Sequence, residues 1–242
     1  MSTTFLERVT AEARERVAQA GEFAYFAKLK KLAGQRREER EPHRFHSALS
    51  RLDGVNIIAE IKRASPSKGV IKGGIDVAKL ARLYAAGGAA AISVLTEPKH
   101  FDGSVSDLVA AAKAVEIPIL RKDFIVDEYQ IVEAAAAGAS AILLIVASLS
   151  LDELRDLYSL ATELGLDALV EVHDSAEMQT AIGIGAKIIG VNNRDLHSLE
   201  VSLDTSRRLI EHRPDNILMV AESGLTNRDE INELRELAMT DS

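Results

Sequence analysis

Apolar residues follow two different rhythms along this chain. In the first thirty-odd residues they recur at helical spacing, with Phe5, Val9, Ala13 and Val17 on one face, which predicts helix over 3–33. The charged run GQRREEREPHRF follows and reads as a solvated connection. FHSALSRL after it predicts a short helix. From Val55 onward the rhythm changes. Short apolar runs, VNIIAEI, AAAISVL, IPILRK, SAILLIV, DALVEV, KIIGVN and ILMVAES, alternate with longer amphipathic stretches centred on 76–86, 104–115, 127–137, 150–164, 174–184, 202–212 and 226–237. Glycine closes several of these helices, as in YAAGGAAA and AAAAGASA, where it supplies a left-handed cap before the next strand.

Seven strand-then-helix units, with strands apolar on both faces, predict a parallel sheet covered by helices. A doubly wound open sheet and a (β/α)8 TIM barrel both fit that description. The first strand runs into KRASPSKG and not into the glycine-rich fingerprint of a dinucleotide fold, and seven similar units in succession favour the barrel. The expected organisation is a helical N-terminal extension over residues 1–54, packed on a barrel over residues 55–242 that contains seven recognisable units.

Composition narrows the chemistry. The 242 residues are 47% hydrophobic and 27% charged, enough apolar material for a sizeable core. A net charge of −8 argues against nucleic acid as a partner but leaves room for a local anion pocket. There is no cysteine, which removes disulfides, thiolate metal sites and cysteine nucleophiles. MSTTFLERVTAEARERV lacks the uninterrupted apolar core of a signal peptide, and no run approaches the ~18 apolar residues of a membrane span. The expectation is a cytoplasmic protein with no membrane partner.

In a parallel barrel the residues at the C-terminal strand ends carry the chemistry. Here those ends are polar: Glu60 and Lys62 after the first strand, then Thr96, Glu97 and Phe101, Lys122 and Asp123, Glu171, Asn192 and Arg194, and last Glu222, Ser223 and Gly224. Because side chains alternate, Glu60 and Lys62 share a face, as Asn192 and Arg194 would if their strand continued. Buried charge is costly, and a core strand has no structural need of it. Strand-end ion pairs that merely hold loops could account for one such residue, hardly for six strand ends. A lysine among carboxylates can act as general acid, electrostatic clamp or Schiff-base nucleophile, and a glutamate as base. The ESG turn offers backbone N–H groups to an oxyanion. No redox-cofactor motif is present, and the six histidines form no clustered ligand set; His173, beside a strand end, reads as structural or exposed. The residues therefore suggest acid–base handling of a small phosphorylated anion.

IIAEIKRASPSKG, LTEPKHFDGS, ILRKDFIVDEYQI, LVEVHD, IIGVNNRDL and VAESG occur in this order in the indole-3-glycerol-phosphate synthases, the barrel enzymes of tryptophan biosynthesis, and the resemblance covers essentially the whole chain. It implies a carbon–carbon lyase that closes the ring, decarboxylates and dehydrates 1-(2-carboxyphenylamino)-1-deoxyribulose 5-phosphate to indole-3-glycerol phosphate, with neither cofactor nor metal. Carried over by motif, Lys122 resembles the general acid of ring closure and Glu171 the base of dehydration. Lys62 resembles a cation on a substrate anion, and Glu60 an orienting partner of the lysines. Asn192 and Arg194 would position substrate, with Arg194 near its carboxylate. Ser65, Pro66, Phe101, Phe124 and Glu222 would line the substrate pocket, and Ser223 with Gly224 would take the phosphate. Lys62 and Lys122, in one mouth, are expected to lower each other's pKa.

One departure stands out. No apolar strand follows Leu237, so seven units are counted where a closed barrel has eight. Three explanations compete: a truncated chain, a strand supplied by a second copy or partner, and an error in the gene's reading frame. The expectation is a monomer or weak homo-oligomer associating through open edges, with impaired phosphate binding and weak activity. Two other readings compete, an inert or partner-binding fragment of the same barrel and, less favoured, a Schiff-base aldolase.

Overall fold

Two separate apolar environments, one on each face of a seven-stranded parallel sheet, explain why the barrel strands are apolar at nearly every position. The computed structural model describes residues 4–20, 23–51, 54–66, 69–71, 74–195 and 200–240. Its elements in chain order are α1 (Phe5–Ala20), α2 (Phe23–Glu39), α3 (Arg44–Leu49), β1 (Ile58–Ile61), β2 (Ala64–Ser65), β3 (Gly69–Val70), α4 (Val77–Ala86), β4 (Ala91–Leu95), α5 (Pro98–Phe101), α6 (Val105–Ala114), β5 (Ile119–Lys122), α7 (Glu128–Ala137), β6 (Ala141–Ile145), α8 (Leu151–Glu163), β7 (Asp167–Val172), α9 (Ser175–Gly183), β8 (Ile188–Asn192), α10 (Asp204–Ile210), β9 (Leu218–Glu222) and α11 (Arg228–Thr240). The sheet runs β1-β4-β5-β6-β7-β8-β9, all parallel and in sequence order, while β2 and β3 form a small antiparallel pair in the loop after β1.

Outward residues such as Ile92, Ile119, Ile142, Leu144, Val170 and Ile189 pack against the helices. Inward residues Leu120, Leu143, Leu169 and Ile188 fill the barrel, and Phe45 and Leu49 of α3 join them, plugging one end. That alternation fixes which polar residues reach the mouth. In β5, Arg121 faces outward and Lys122 inward. Arg121 is satisfied there by Thr96, Asp123, Glu133 and the Gln130 carbonyl, which keeps a buried guanidinium affordable.

The helix starts sit at the mouth, and sequence chemistry sets them. Asp76, Ser104, Asp127, Ser150 and Asp174 each accept a backbone N–H of the following helix, with a full capping box at Ser150 and Glu153. The observed helices of the barrel lie within three residues of the expected spans at either end.

Three local expectations change. The N-terminal segment is two helices, not one. The charged run is not a loose connection: its first half is the end of α2, and its arginines work on the closed end of the barrel. Arg40 donates to the Gly138 carbonyl at 2.8 Å, where α7 ends, and Arg44 donates to the Glu116 carbonyl. Arginine stems cover apolar surface while their heads bind carbonyls, so a charged run can be structural. The β2–β3 pair was not foreseen either.

Strand β1 makes no pairing with β9 among the described residues. Between them lies a groove of about 560 Å³ whose walls include Ile57, Ile58, Leu218 and Val220. The architecture is an α/β TIM-type barrel of seven units, open at that seam, with helices added at its N-terminal end.

Candidate active site

Four strands deliver charged or amide side chains to one cavity of about 260 Å³ at the open mouth. Glu60, Lys62, Lys122, Glu171, Asn192 and Arg194 all line it. Lys122 is the hub. Its Nζ lies 2.5 Å from Oε2 of Glu222 and 3.5 Å from Oε2 of Glu171. Asn192 Nδ2 donates to Oε1 of Glu171 at 3.0 Å, which holds that carboxylate from the neighbouring strand. Lys62 donates to Glu60, so each lysine has its own carboxylate partner.

The expected lowering of the Lys122 pKa by its neighbour lysine is not what the geometry gives. Burial opposes the Lys122 ammonium, but Glu222, Glu171 and Glu60 outweigh it and hold its pKa well above the usual lysine range. Burial also opposes ionised Glu171, and here Lys122, His173 and Asn192 prevail and hold it below the usual range. Glu222 goes the other way. Burial pushes it up to about 7; Lys122 opposes this, while the charges of Glu171 and Glu60 add to it. Three carboxylates around one ammonium cannot all be equally favoured in the ionised form, and Glu222 is the one that yields.

Apolar residues complete the cavity. Phe101 and Phe124 stand 6.4 Å apart, ring centre to ring centre, and Leu95, Leu143 and Ile145 contribute from the strands. Ser65 and Pro66 line it from the loop after β1. That loop is pinned by Arg63, which binds both carboxylate oxygens of Asp107, and by the Ile71 N–H donating to the Arg63 carbonyl at 2.8 Å. Ser223 lines the cavity and takes a left-handed conformation, φ 63°. Gly224 is not part of the wall. Glu222 reaches the site through Lys122 and not as wall.

Several contributors were not anticipated. Phe5 of α1 lines the cavity, and its ring meets His100 edge-on at 5.3 Å. Helix α1 is fastened over the mouth by Glu12, which binds Lys99 and His100, and by Arg16, 2.8 Å from Asp123. Gly190 of β8 is the other. A Cβ there would collide with Oε1 of Glu222, so glycine at this strand position leaves the Glu222 carboxylate the room it occupies beside Lys122. A glycine inside an apolar strand is a recognisable signal of close approach, but it does not say what approaches. His173 also lies at the site, beside Glu171.

The expected site residues are thus gathered at one mouth, Gly224 apart, and the strand ends bear a family's motifs. The family model described as indole-3-glycerol phosphate synthase matches residues 6–240. The chain belongs to the indole-3-glycerol phosphate synthase family. One relative bearing that name, from Nocardioides sp., is 56% identical over 181 residues, 75% of this chain and 70% of its own. Another, from Desulfosudis oleivorans, is 47% identical over 228 residues, 94% of this chain and 84% of its own. Membership of this family makes the protein a lyase of tryptophan biosynthesis. Among solved structures, N-acetylmannosamine-6-phosphate 2-epimerase from Clostridium perfringens superposes with a TM-score of 0.58 over 75% of this chain and 82% of its own. At 15% identity that likeness speaks for the barrel fold alone. No helix among the described residues is long and apolar enough to cross a membrane.

Proposed function

We propose that this chain is a cytoplasmic carboxy-lyase that converts 1-(2-carboxyphenylamino)-1-deoxyribulose 5-phosphate to indole-3-glycerol phosphate, CO2 and water. The observation that carries the reading is Lys122, an ammonium held between Glu222 and Glu171 at the floor of a cavity with aromatic walls and further cations at its rim. In the first step the ring carbon bearing the carboxylate attacks the ribulose carbonyl, and Lys122 protonates the oxygen as charge develops on it. Loss of CO2 restores the aromatic ring. Glu171, kept ionised, then takes the C1 proton of the former ribulose chain while the Lys62 ammonium gives a proton to the new hydroxyl, which leaves as water. Lys62 and Arg194 suit the substrate's anionic groups, Asn192 holds Glu171 in place, and Phe101, Phe124 and Pro66 offer an apolar seat for the benzoate ring. Ser223 faces the cavity where the phosphate of a substrate lying across the mouth would fall.

The state of Lys122 also separates this reading from a Schiff-base aldolase. An amine nucleophile must be neutral, and three carboxylates keep Lys122 charged. The test is CO2 release and indole fluorescence with the synthetic substrate. Lys122→Met and Glu171→Gln are each expected to lower kcat by roughly 10²–10⁴-fold, the range of general acid–base contributions. A borohydride-trapped adduct on Lys122 would overturn the assignment in favour of imine chemistry.

A further inference from the structure

His173 lies two residues beyond Glu171 and leaves the end of β7 on the same side. Its ring stands between two carboxylates. Nε2 is 3.4 Å from Oε1 of Glu171, and Nδ1 is 3.1 Å from Oε2 of Glu177. The backbone N–H of His173 donates to the same Glu177 oxygen at 2.8 Å, so Glu177 grips both ring and main chain. Glu177 is itself fixed in the first turn of α9, where its own N–H is capped by Asp174. The side chain is only 15% exposed. Nε2 is buried and completes no hydrogen bond, although it faces the carboxylate assigned as the base. A histidine that only fills space has no reason to present both nitrogens to carboxylates, one of them in the site.

We propose that His173 is a positioning residue for Glu171: anchored by Glu177, it holds the Glu171 carboxylate ionised and turned toward the cavity, ready to take a proton. The proposal rests on the reading of Glu171 as the base of the dehydration. Each oxygen of Glu171 then has a defined neighbourhood. Oε1 is fixed by Asn192 from β8 and faced by His173, while Oε2 faces Lys122 from β5. Glu222 from β9 disfavours ionisation of this carboxylate, and His173 adds a cation beside it. Burial works against a charged imidazole, yet Glu171 and Glu177 together raise the His173 pKa to about 10, so the ring remains cationic at neutral pH.

A merely structural histidine would affect stability; a positioning histidine also moves the acid side of the rate profile. Glu171 must be ionised to act, so activity is lost as pH falls through its pKa. Removing the cation beside it raises that pKa. In His173→Leu, kcat is expected to fall about tenfold or more with KM changed less than twofold, and the acid limb of kcat should move to higher pH. His173→Gln, which keeps an N–H donor, should recover part of the rate, and Glu177→Gln should move the limb the same way but less. An acid limb that stays in place in His173→Leu and Glu177→Gln overturns the proposal, whatever happens to stability. Absence of turnover in the unaltered chain counts against the proposed function instead. Imidazole ¹⁵N titration then decides the matter. A His173 ring protonated beyond pH 8, and titrating lower in Glu171→Gln and in Glu177→Gln, supports the proposal; a ring titrating near the ordinary value of about 6.5 overturns it.

Discussion

Lys122 owes its charge state to carboxylates on three other strands, and Glu222 is the nearest of them. Replacing Glu222 by glutamine keeps the shape and removes one of three carboxylates that stabilise the ammonium. A general acid must be protonated, so activity is lost as pH rises through the lysine's pKa. In Glu222→Gln the alkaline limb of kcat is expected at lower pH than in the unaltered chain, with rates measured up to pH 11; a profile that the substitution leaves unchanged means that Glu222 does not govern the acid. Gly190→Ala probes the same contact from the neighbouring strand. Its methyl collides with the Glu222 carboxylate, so kcat should fall more than tenfold while urea unfolding shows a loss of only about 1–3 kcal/mol, the usual cost of overpacking. Lys122, Glu171 and Glu222 were legible in the sequence because a charge at the end of an apolar run is conspicuous. Gly190 and His173 were not, because their meaning depends on what stands beside them. Glu171 pairs in register with Gly190, and Asn192 with Glu222, and no single strand reveals that.

Among the elements, α1 does little for the core and much for the mouth. Its buried face is small, Leu6, Val9 and Ala13, and polar contacts of Thr10, Glu12, Arg14 and Arg16 tie it to the barrel. Arg16→Ala leaves Asp123 with Arg121 and Thr96, so the expected loss is modest, about 1–2 kcal/mol in urea unfolding. The larger effect should be a several-fold rise in KM, since Phe5 lines the cavity from the same helix; an unchanged KM would separate α1 from substrate binding. The barrel helices were readable to within three residues, most closely where an Asp or Ser cap marks the start. The two-residue strands β2 and β3 were not, since a Ser, Pro, Lys and Gly stretch has no apolar alternation to betray a pairing. Residues α2 shares with the charged run misled for the opposite reason: arginine composition signals solvent, while here the stems lie on the barrel.

For the molecule as a whole, seven units were countable in the sequence, and the sheet has seven strands with an open seam. Burial grades away from it: β6 and β7 are buried throughout, while every residue of β9 is only partly so. Amide exchange is therefore expected to be fastest in β9 and β1 and slowest in β6 and β7, measured by hydrogen–deuterium mass spectrometry; uniform protection would mean that the seam is covered in solution. Free edges beside exposed Val55 and Ile57 also favour association between copies at high concentration, to be read from concentration-dependent sedimentation. The seam has a further consequence, in time and not in space. Lys122 and Glu222 are 100 residues apart in the chain, and the carboxylate arrives on the last strand to be synthesised of the seven. Until β9 docks, the lysine and Glu171 have no third partner, and Asn192 has no neighbour in register. Long-range pairing of this kind is slow to form. The site is thus assembled by its least protected strand, so recovery of activity on refolding should trail recovery of helix.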